Sequence, residues 1–206
     1  MDNAATSWPK PDSVYRAVLK CMQGAGANPG RSSHAMSVDA GNIILRTREL
    51  IAKLFSIDDP FRIVFTYNTT ESLNLGMKGL LQKGDHVITT SMEHNSVIRP
   101  LMALKRWGVK TTFVKCNSEG IVDPNDIEVA IEKDTKLIVT THASNVTGGI
   151  MPIDKIGEIA NRYKIIYMVD AAQTAGIVPI DVKKYGIDML AFPGHKNLLG
   201  PQGTGG

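Results

Sequence analysis

Tyr167-Met168-Val169-Asp170-Ala171-Ala172-Gln173, followed by Gly186-Ile187-Asp188-Met189-Leu190-Ala191-Phe192 and then Pro193-Gly194-His195-Lys196, is the stretch that decides the fold. Its two apolar runs, 164–169 and 188–192, are strand-sized and lack the alternation of a half-exposed strand, so both read as buried parallel strands. Each run ends in polar residues. In an open α/β sheet the carboxyl ends of the strands are where ligands are handled. Asp170 and Gln173 therefore leave one strand, and His195 and Lys196 the next, on a common rim.

Working outward, the same alternation extends back through the chain. Strands are expected at 62–66, 86–90, 110–115 and 136–141, with helices at about 69–80, 96–107, 124–131 and 153–163 between them. Asn68-Thr69-Thr70-Glu71 opens the first of these helices. Ahead of them, Asp12 or Ser13 can cap a helix whose Val14, Ala17, Val18 and Cys21 share one face, which makes Cys21 a core residue. A longer helix from about Ser37 places Ala40, Ile44, Thr47, Ile51, Leu54 and Phe55 in one stripe, and Asp58-Asp59-Pro60 stops it. This βα order means an α/β fold with a mostly parallel sheet, right-handed crossovers and helices on both faces.

Of the 206 residues, 43% are hydrophobic and 21% charged, an ordinary globular balance, and the net charge of +3 with no basic cluster gives no reason to expect nucleic acid. The apolar runs are too short to cross a membrane. Two cysteines, Cys21 and Cys116, make neither a disulfide framework nor a metal site, and a reducing cytoplasm is the expected setting.

Four polar clusters follow four of the strands. Thr66-Tyr67-Asn68-Thr69-Thr70-Glu71 lies at a strand-to-helix turn, where free backbone N–H groups and hydroxyls suit a phosphate; an ordinary Asn or Thr cap is the plainer alternative. Ser91-Met92-Glu93-His94-Asn95-Ser96 puts an imidazole where it could stack on a planar ring, or simply be a structural histidine. Thr141-His142-Ala143-Ser144-Asn145-Val146-Thr147-Gly148 offers Asn145 to a cofactor oxygen or a carboxylate, or forms an Asx turn. Pro193-Gly194-His195-Lys196 completes the set. Asp170 as helix cap and Lys196 as solvated loop residue are the bland readings. Together, a carboxylate and a lysine on one rim suit pyridoxal 5'-phosphate: the amine forms a Schiff base with the aldehyde, and the acid keeps the ring nitrogen protonated.

With these segments on the page, the sequence resembles the cysteine desulfurase branch of the class-V aminotransferases, which are fold-type-I pyridoxal phosphate enzymes. The resemblance rests on Asp2-Asn3-Ala4-Ala5-Thr6, Thr69-Thr70-Glu71-Ser72-Leu73-Asn74, Glu93-His94-Asn95-Ser96, His142 to Gly148, Asp170-Ala171-Ala172-Gln173 and Gly194-His195-Lys196, in the family's order across nearly the whole chain. It implies that Lys196 is the Schiff-base lysine, that Asp170 partners the pyridine nitrogen, and that Gln173 contacts the ring hydroxyl. His94 stacks on the ring with a catalytic role, and Thr70 and His195 hold the phosphate, with Thr69 beside them. Asn145, Arg31 and His34 fall on the substrate side.

It further implies L-cysteine as substrate, a homodimer, a sulfur-acceptor protein, an N-terminal segment and helix at 1–30, and a cofactor-binding large domain at 31–206. Pro193 stands where the family often has Ser, and Asn68 where Gly is common. The family's nucleophilic cysteine, its carboxylate-binding arginine, its small domain and a strand inserted between the first and sixth strands are all expected beyond Gly206, so the chain reads as a fragment. Another class-V lyase, aminotransferase or epimerase, and a non-catalytic α/β domain, are the competing expectations.

Overall fold

The structure, a computed structural model, describes residues 2–30 and 33–206. Helices α1 (Asp12–Gly24) and α2 (Ala35–Leu54) come first, and then α3 (Thr69–Leu80), β1 (His86–Thr90), α4 (Asn95–Lys105), β2 (Lys110–Val114), α5 (Pro124–Val129), β3 (Thr135–Thr141), α6 (Ile153–Tyr163), β4 (Ile166–Asp170) and β5 (Met189–Ala191). The five strands form one sheet in the order β2-β1-β3-β4-β5, and every pairing is parallel. The chain order reverses direction across the sheet between β1 and β3, and such a switch point opens a crevice at the carboxyl ends.

Both faces of the sheet are covered, as a parallel sheet with buried strands requires. On one face Leu73 and Met77 of α3 and Val97, Leu101 and Leu104 of α4 pack on Val87, Leu137, Val139 and Met168. On the other, Ile127 of α5 and Ile153, Ile156 and Ala160 of α6 pack on Ile88, Ile138, Tyr167 and Val169. Phe55, just past α2, joins this second core through its ring against Phe192, the centroids 5.2 Å apart. Gly157 lets α6 come close: a Cβ there would lie 1.7 Å from the Tyr185 carbonyl oxygen.

Four expectations are corrected. Residues 62–66 do not form a strand: Pro60–Arg62 is a 3₁₀ turn, and the run after it meets the sheet only through an antiparallel bridge from Thr66 to Gly205. Gly205 and Gly206 also bond to the backbone of β5's extension at Phe192 and Pro193, so these last residues, not β5, are what 62–66 can reach. The described sheet therefore has five strands, not six. Second, α1 takes its cap position from Pro11 with no side-chain bond, and no residue of the helix is buried. Cys21 is half-buried rather than core. Third, α2 begins at Ala35, and it ends because Ser56 turns into left-handed backbone at φ 59°, ahead of Asp58. Fourth, its stripe is narrower than the periodicity suggests, with Ala40, Ala52 and Phe55 buried but Ile44 and Leu54 exposed.

Among the described residues no helix is long and apolar enough to cross a membrane, and no cluster of His, Cys, Asp or Glu is placed to hold a metal.

Candidate functional site

The carboxyl ends of β1, β3, β4 and β5 converge on a cleft of about 380 Å³. Its walls are Thr69 and Thr70 from the start of α3, His94 and Ser96 from the loop after β1, Thr141 and Asn145 after β3, Asp170 and Gln173 after β4, and His195 and Lys196 after β5, with Asp2 and Ala4 closing one side. A larger groove of about 430 Å³ runs along the free edge of β5. It is mostly apolar, and two of its five charged residues, Asp58 and Lys183, pair with each other. The chemistry converges on the smaller cleft.

Asp170 ends β4 almost fully buried, and its Oδ1 accepts from the Ala172 amide at 2.9 Å. Burial pushes its carboxyl above the usual range, against the opposing pull of that hydrogen bond and of His94 and Lys196. Lys196 is pushed the other way by desolvation, which outweighs the attraction of Asp170 and Asp2. The two shifts share one cause: the cleft is a poor place for charge, and their mutual attraction does not offset desolvation. A lysine so lowered keeps more of its amine neutral and nucleophilic.

His94 sits at the N-cap of α4, where its Nδ1 accepts the Ser96 amide at 3.1 Å and lies 2.9 Å from Ser96 Oγ. An accepting Nδ1 leaves the neutral ring's proton on Nε2. Ser96 Oγ in turn lies 2.7 Å from Thr70 Oγ1, so the imidazole and the start of α3 are tied by one hydroxyl relay.

At that start, Asn68 caps the helix by accepting the Glu71 amide at 2.9 Å. The Thr69 and Thr70 amides belong to the first turn, where no helical carbonyl can accept from them. Thr69 Oγ1 is buried and has no hydrogen-bond partner. An orphaned hydroxyl beside unclaimed first-turn amides is a cradle suited to a phosphate. Across the cleft His195 Nδ1 lies 3.1 Å from Thr6 Oγ1, and burial first, then the charges of Lys196 and Lys10, hold its imidazole below the usual range. The Pro193-Gly194-His195-Lys196 turn needs its glycine, since a Cβ at Gly194 would come 2.2 Å from Thr204 Oγ1.

Gln173 lines the cleft with its side-chain Nε2 donating to the Ala4 carbonyl at 3.1 Å, and its main-chain carbonyl accepts from the Asn197 side chain at 2.6 Å. Asn145 stands exposed at the mouth. The structure thus gathers Thr69, Thr70, His94, Asn145, Asp170, Gln173, His195 and Lys196 around one space. It does not bring His34 there: that ring caps α2, with Nδ1 accepting the Ser37 amide at 3.3 Å. Arg31 lies outside the described residues.

Sequence reasoning missed Glu93, Asp2 and Lys10. Glu93 as a whole is half-buried but its carboxyl is sealed from solvent, Oε1 accepting from Thr90 Oγ1 at 2.6 Å and the Thr141 amide at 3.1 Å, and desolvation pushes the carboxyl up to about 8. Its neighbour in sequence, His94, drew the attention, and nothing local distinguishes a buried Glu from a solvated one.

The class-V aminotransferase family model matches residues 1–206. The chain belongs to the class-V aminotransferases. Within the family, it is 39% identical over 204 residues to a probable cysteine desulfurase of Methanothermobacter thermautotrophicus, covering 98% of this chain and 51% of that one. A solved structure described as SspA in complex with cysteine superposes with a TM-score of 0.92 at 34% identity, covering 99% of this chain and 59% of that one. The apo cysteine desulfurase of Thermococcus onnurineus NA1 does so with a TM-score of 0.92 at 37% identity, covering 99% and 51%. The chain spans about half the length of the curated relatives it matches. Members of this family use pyridoxal phosphate, and the donor set fits that group: an amine, a buried carboxylate, an imidazole in the cleft wall and an unsatisfied hydroxyl at a helix start.

Proposed function

We propose that this chain carries the cofactor-holding half of a pyridoxal phosphate-dependent cysteine desulfurase, which releases sulfur from L-cysteine as an enzyme persulfide and leaves alanine. The observation that carries the reading is the placement of Asp170 and Lys196 in one cleft, with His94 and the start of α3 in the same walls. Cysteine in the related SspA structure supports the choice of substrate.

Lys196 would hold the aldehyde carbon of the cofactor and Asp170 its ring nitrogen. Gln173 would meet the ring hydroxyl, while Thr69, Thr70 and His195 hold the phosphate. Bound there, the cofactor supplies an electron sink for bond changes at the substrate α-carbon. The residues of this chain do the positioning and the proton work. Lys196, lowered by burial, is the base placed to move the α-proton. His94, its ring fixed by Ser96, would stack on the cofactor ring. Asn145 at the mouth suits the substrate carboxylate; Arg31 and His34 stay on the substrate side by resemblance alone. Neither Cys21 nor Cys116 lines the cleft, so neither is assigned as the thiolate that takes the sulfur.

Residues 31–206 would form the cofactor-binding unit and 1–30 an arm laid against it. The exposed apolar residues of α1, among them Val18, Leu19 and Met22, suit a second copy of the chain in a homodimer, and by resemblance alone the sulfur would pass to an acceptor protein in the cytoplasm. The test is spectroscopic. Full-length protein mixed with pyridoxal phosphate should turn yellow and convert L-cysteine to alanine with release of sulfur. Yellow colour surviving a Lys196→Ala change would rule out the lysine assignment, and conversion of another amino acid in preference to cysteine would rule out the reaction.

A further inference from the structure

The segment Thr6–Lys10 lies across the backbone of His195 and Lys196. Lys10 is only 7% exposed although lysines usually reach solvent, and its ammonium donates to the His195 carbonyl at 2.5 Å and to Ser7 Oγ at 2.7 Å. The Ser7 amide also donates to the His195 carbonyl, at 3.3 Å. The Thr6 hydroxyl donates to the same carbonyl at 3.1 Å, so three residues of the arm converge on it. Ser7 Oγ, having accepted from Lys10, spends its one proton on the Lys196 carbonyl at 2.8 Å. That carbonyl takes its second bond from the Leu199 amide at 2.9 Å. Thr6 Oγ1 also lies 3.1 Å from His195 Nδ1.

The two carbonyls belong to the peptide planes on either side of the Lys196 Cα. With both planes pinned, φ and ψ of Lys196 have no freedom, and the direction of its Cα–Cβ bond is set. Resting on the reading of Lys196 as the cofactor-holding residue, we propose that Lys10 and Ser7 are positioning residues that aim the Lys196 amine into the cleft. The buried Lys10 ammonium has a second consequence. After burial itself, its charge and that of Lys196 oppose a positive charge on His195 and hold that ring toward its neutral form. Asp170 and Asp2 are the charges that act on Lys196 in the opposite sense.

The experiment compares Lys10→Met, Lys10→Arg and Ser7→Ala in the full-length protein. In cofactor-free protein, the His195 titration is followed by NMR, its resonance assigned with a His195→Gln variant. Lys10→Met should move it upward by about half a unit or more, and Lys10→Arg should restore it. With pyridoxal phosphate added, Lys10→Met and Ser7→Ala should slow the appearance of the yellow colour roughly tenfold and lower kcat more than they change KM. Ser7→Ala removes one hydroxyl and nothing else, so it reports on the clamp even if Lys10→Met fails to fold. Folded variants with wild-type His195 titration and wild-type coloration rates would overturn the clamp. Wild-type protein that never colours would overturn the function of Lys196, and the His195 arm distinguishes that failure from a failure of the clamp.

Discussion

Glu93 is a second acid with a buried carboxyl, close enough to Asp170 for like charge to add to the effect of desolvation. No donor meets its Oε2, and the two bonds to Oε1 offset the desolvation only in part. Its folded-state value of about 8 lies above the ordinary 4.5, so between those two values the folded protein holds a proton that the unfolded chain has released. Stability must then fall as pH rises through that window, by up to about 1.4 kcal/mol per unit. A Glu93→Gln change keeps the acceptor for Thr90 and Thr141 and should flatten the slope, as measured by urea unfolding of the cofactor-free protein from pH 5 to 8. Asp170→Asn is the complementary test. It keeps an oxygen for the Ala172 amide but cannot hold a protonated ring nitrogen, so the protein should still colour while alanine formation drops roughly 10²-fold or more.

At the scale of elements, the sheet is stitched at the end opposite the cleft by His86. The ring is buried, with Nδ1 2.8 Å from Thr135 Oγ1 and Nε2 2.9 Å from Thr112 Oγ1, so one imidazole ties β1 to both of its neighbours. Burial lowers its pKa first, with Lys110 adding to the effect and Glu132 and Asp134 opposing it. The folded state therefore binds its proton less readily than the unfolded chain. Its stabilisation is present above about 6.5 and is lost as pH falls toward the depressed value. His86→Leu should weaken the acid dependence and, by orphaning two hydroxyls, cost about 1–3 kcal/mol near neutrality in a denaturant titration. The α6 contact is equally local: Gly157→Ala drives a methyl into the Tyr185 carbonyl and should cost about 1–3 kcal/mol or more in the same assay.

At the scale of the molecule, α1 buries none of its residues, although Leu19 and Met22 lie 55% and 73% exposed on its apolar face. Large exposed apolar surface is a mark of association. Sedimentation of the full-length protein should show a dimer, and Leu19→Glu with Met22→Glu should shift it toward monomer without unfolding the core. A dimer that survives both charges would place the interface elsewhere.

The chain's own pattern sufficed for the parallel α/β order, for β1 to β4 within a residue or two, and for the rim that carries Asp170 and Lys196, because apolar runs ending in polar residues are local signals. Asn68 at the start of α3 was legible for the same reason, since capping is a contact between near neighbours. Residues 63–66 were not: their composition is that of a strand, but a strand exists only where another backbone lies beside it, and here that is a single bridge to Gly205. Periodicity put Cys21 and Ile44 on apolar faces without saying whether anything packs against those faces. Glu93, His86 and Lys10 look in sequence like ordinary surface residues. Only the folded structure buries them, because the desolvation that sets their protonation and the carbonyls that Lys10 and Ser7 hold come from residues tens to nearly two hundred positions away.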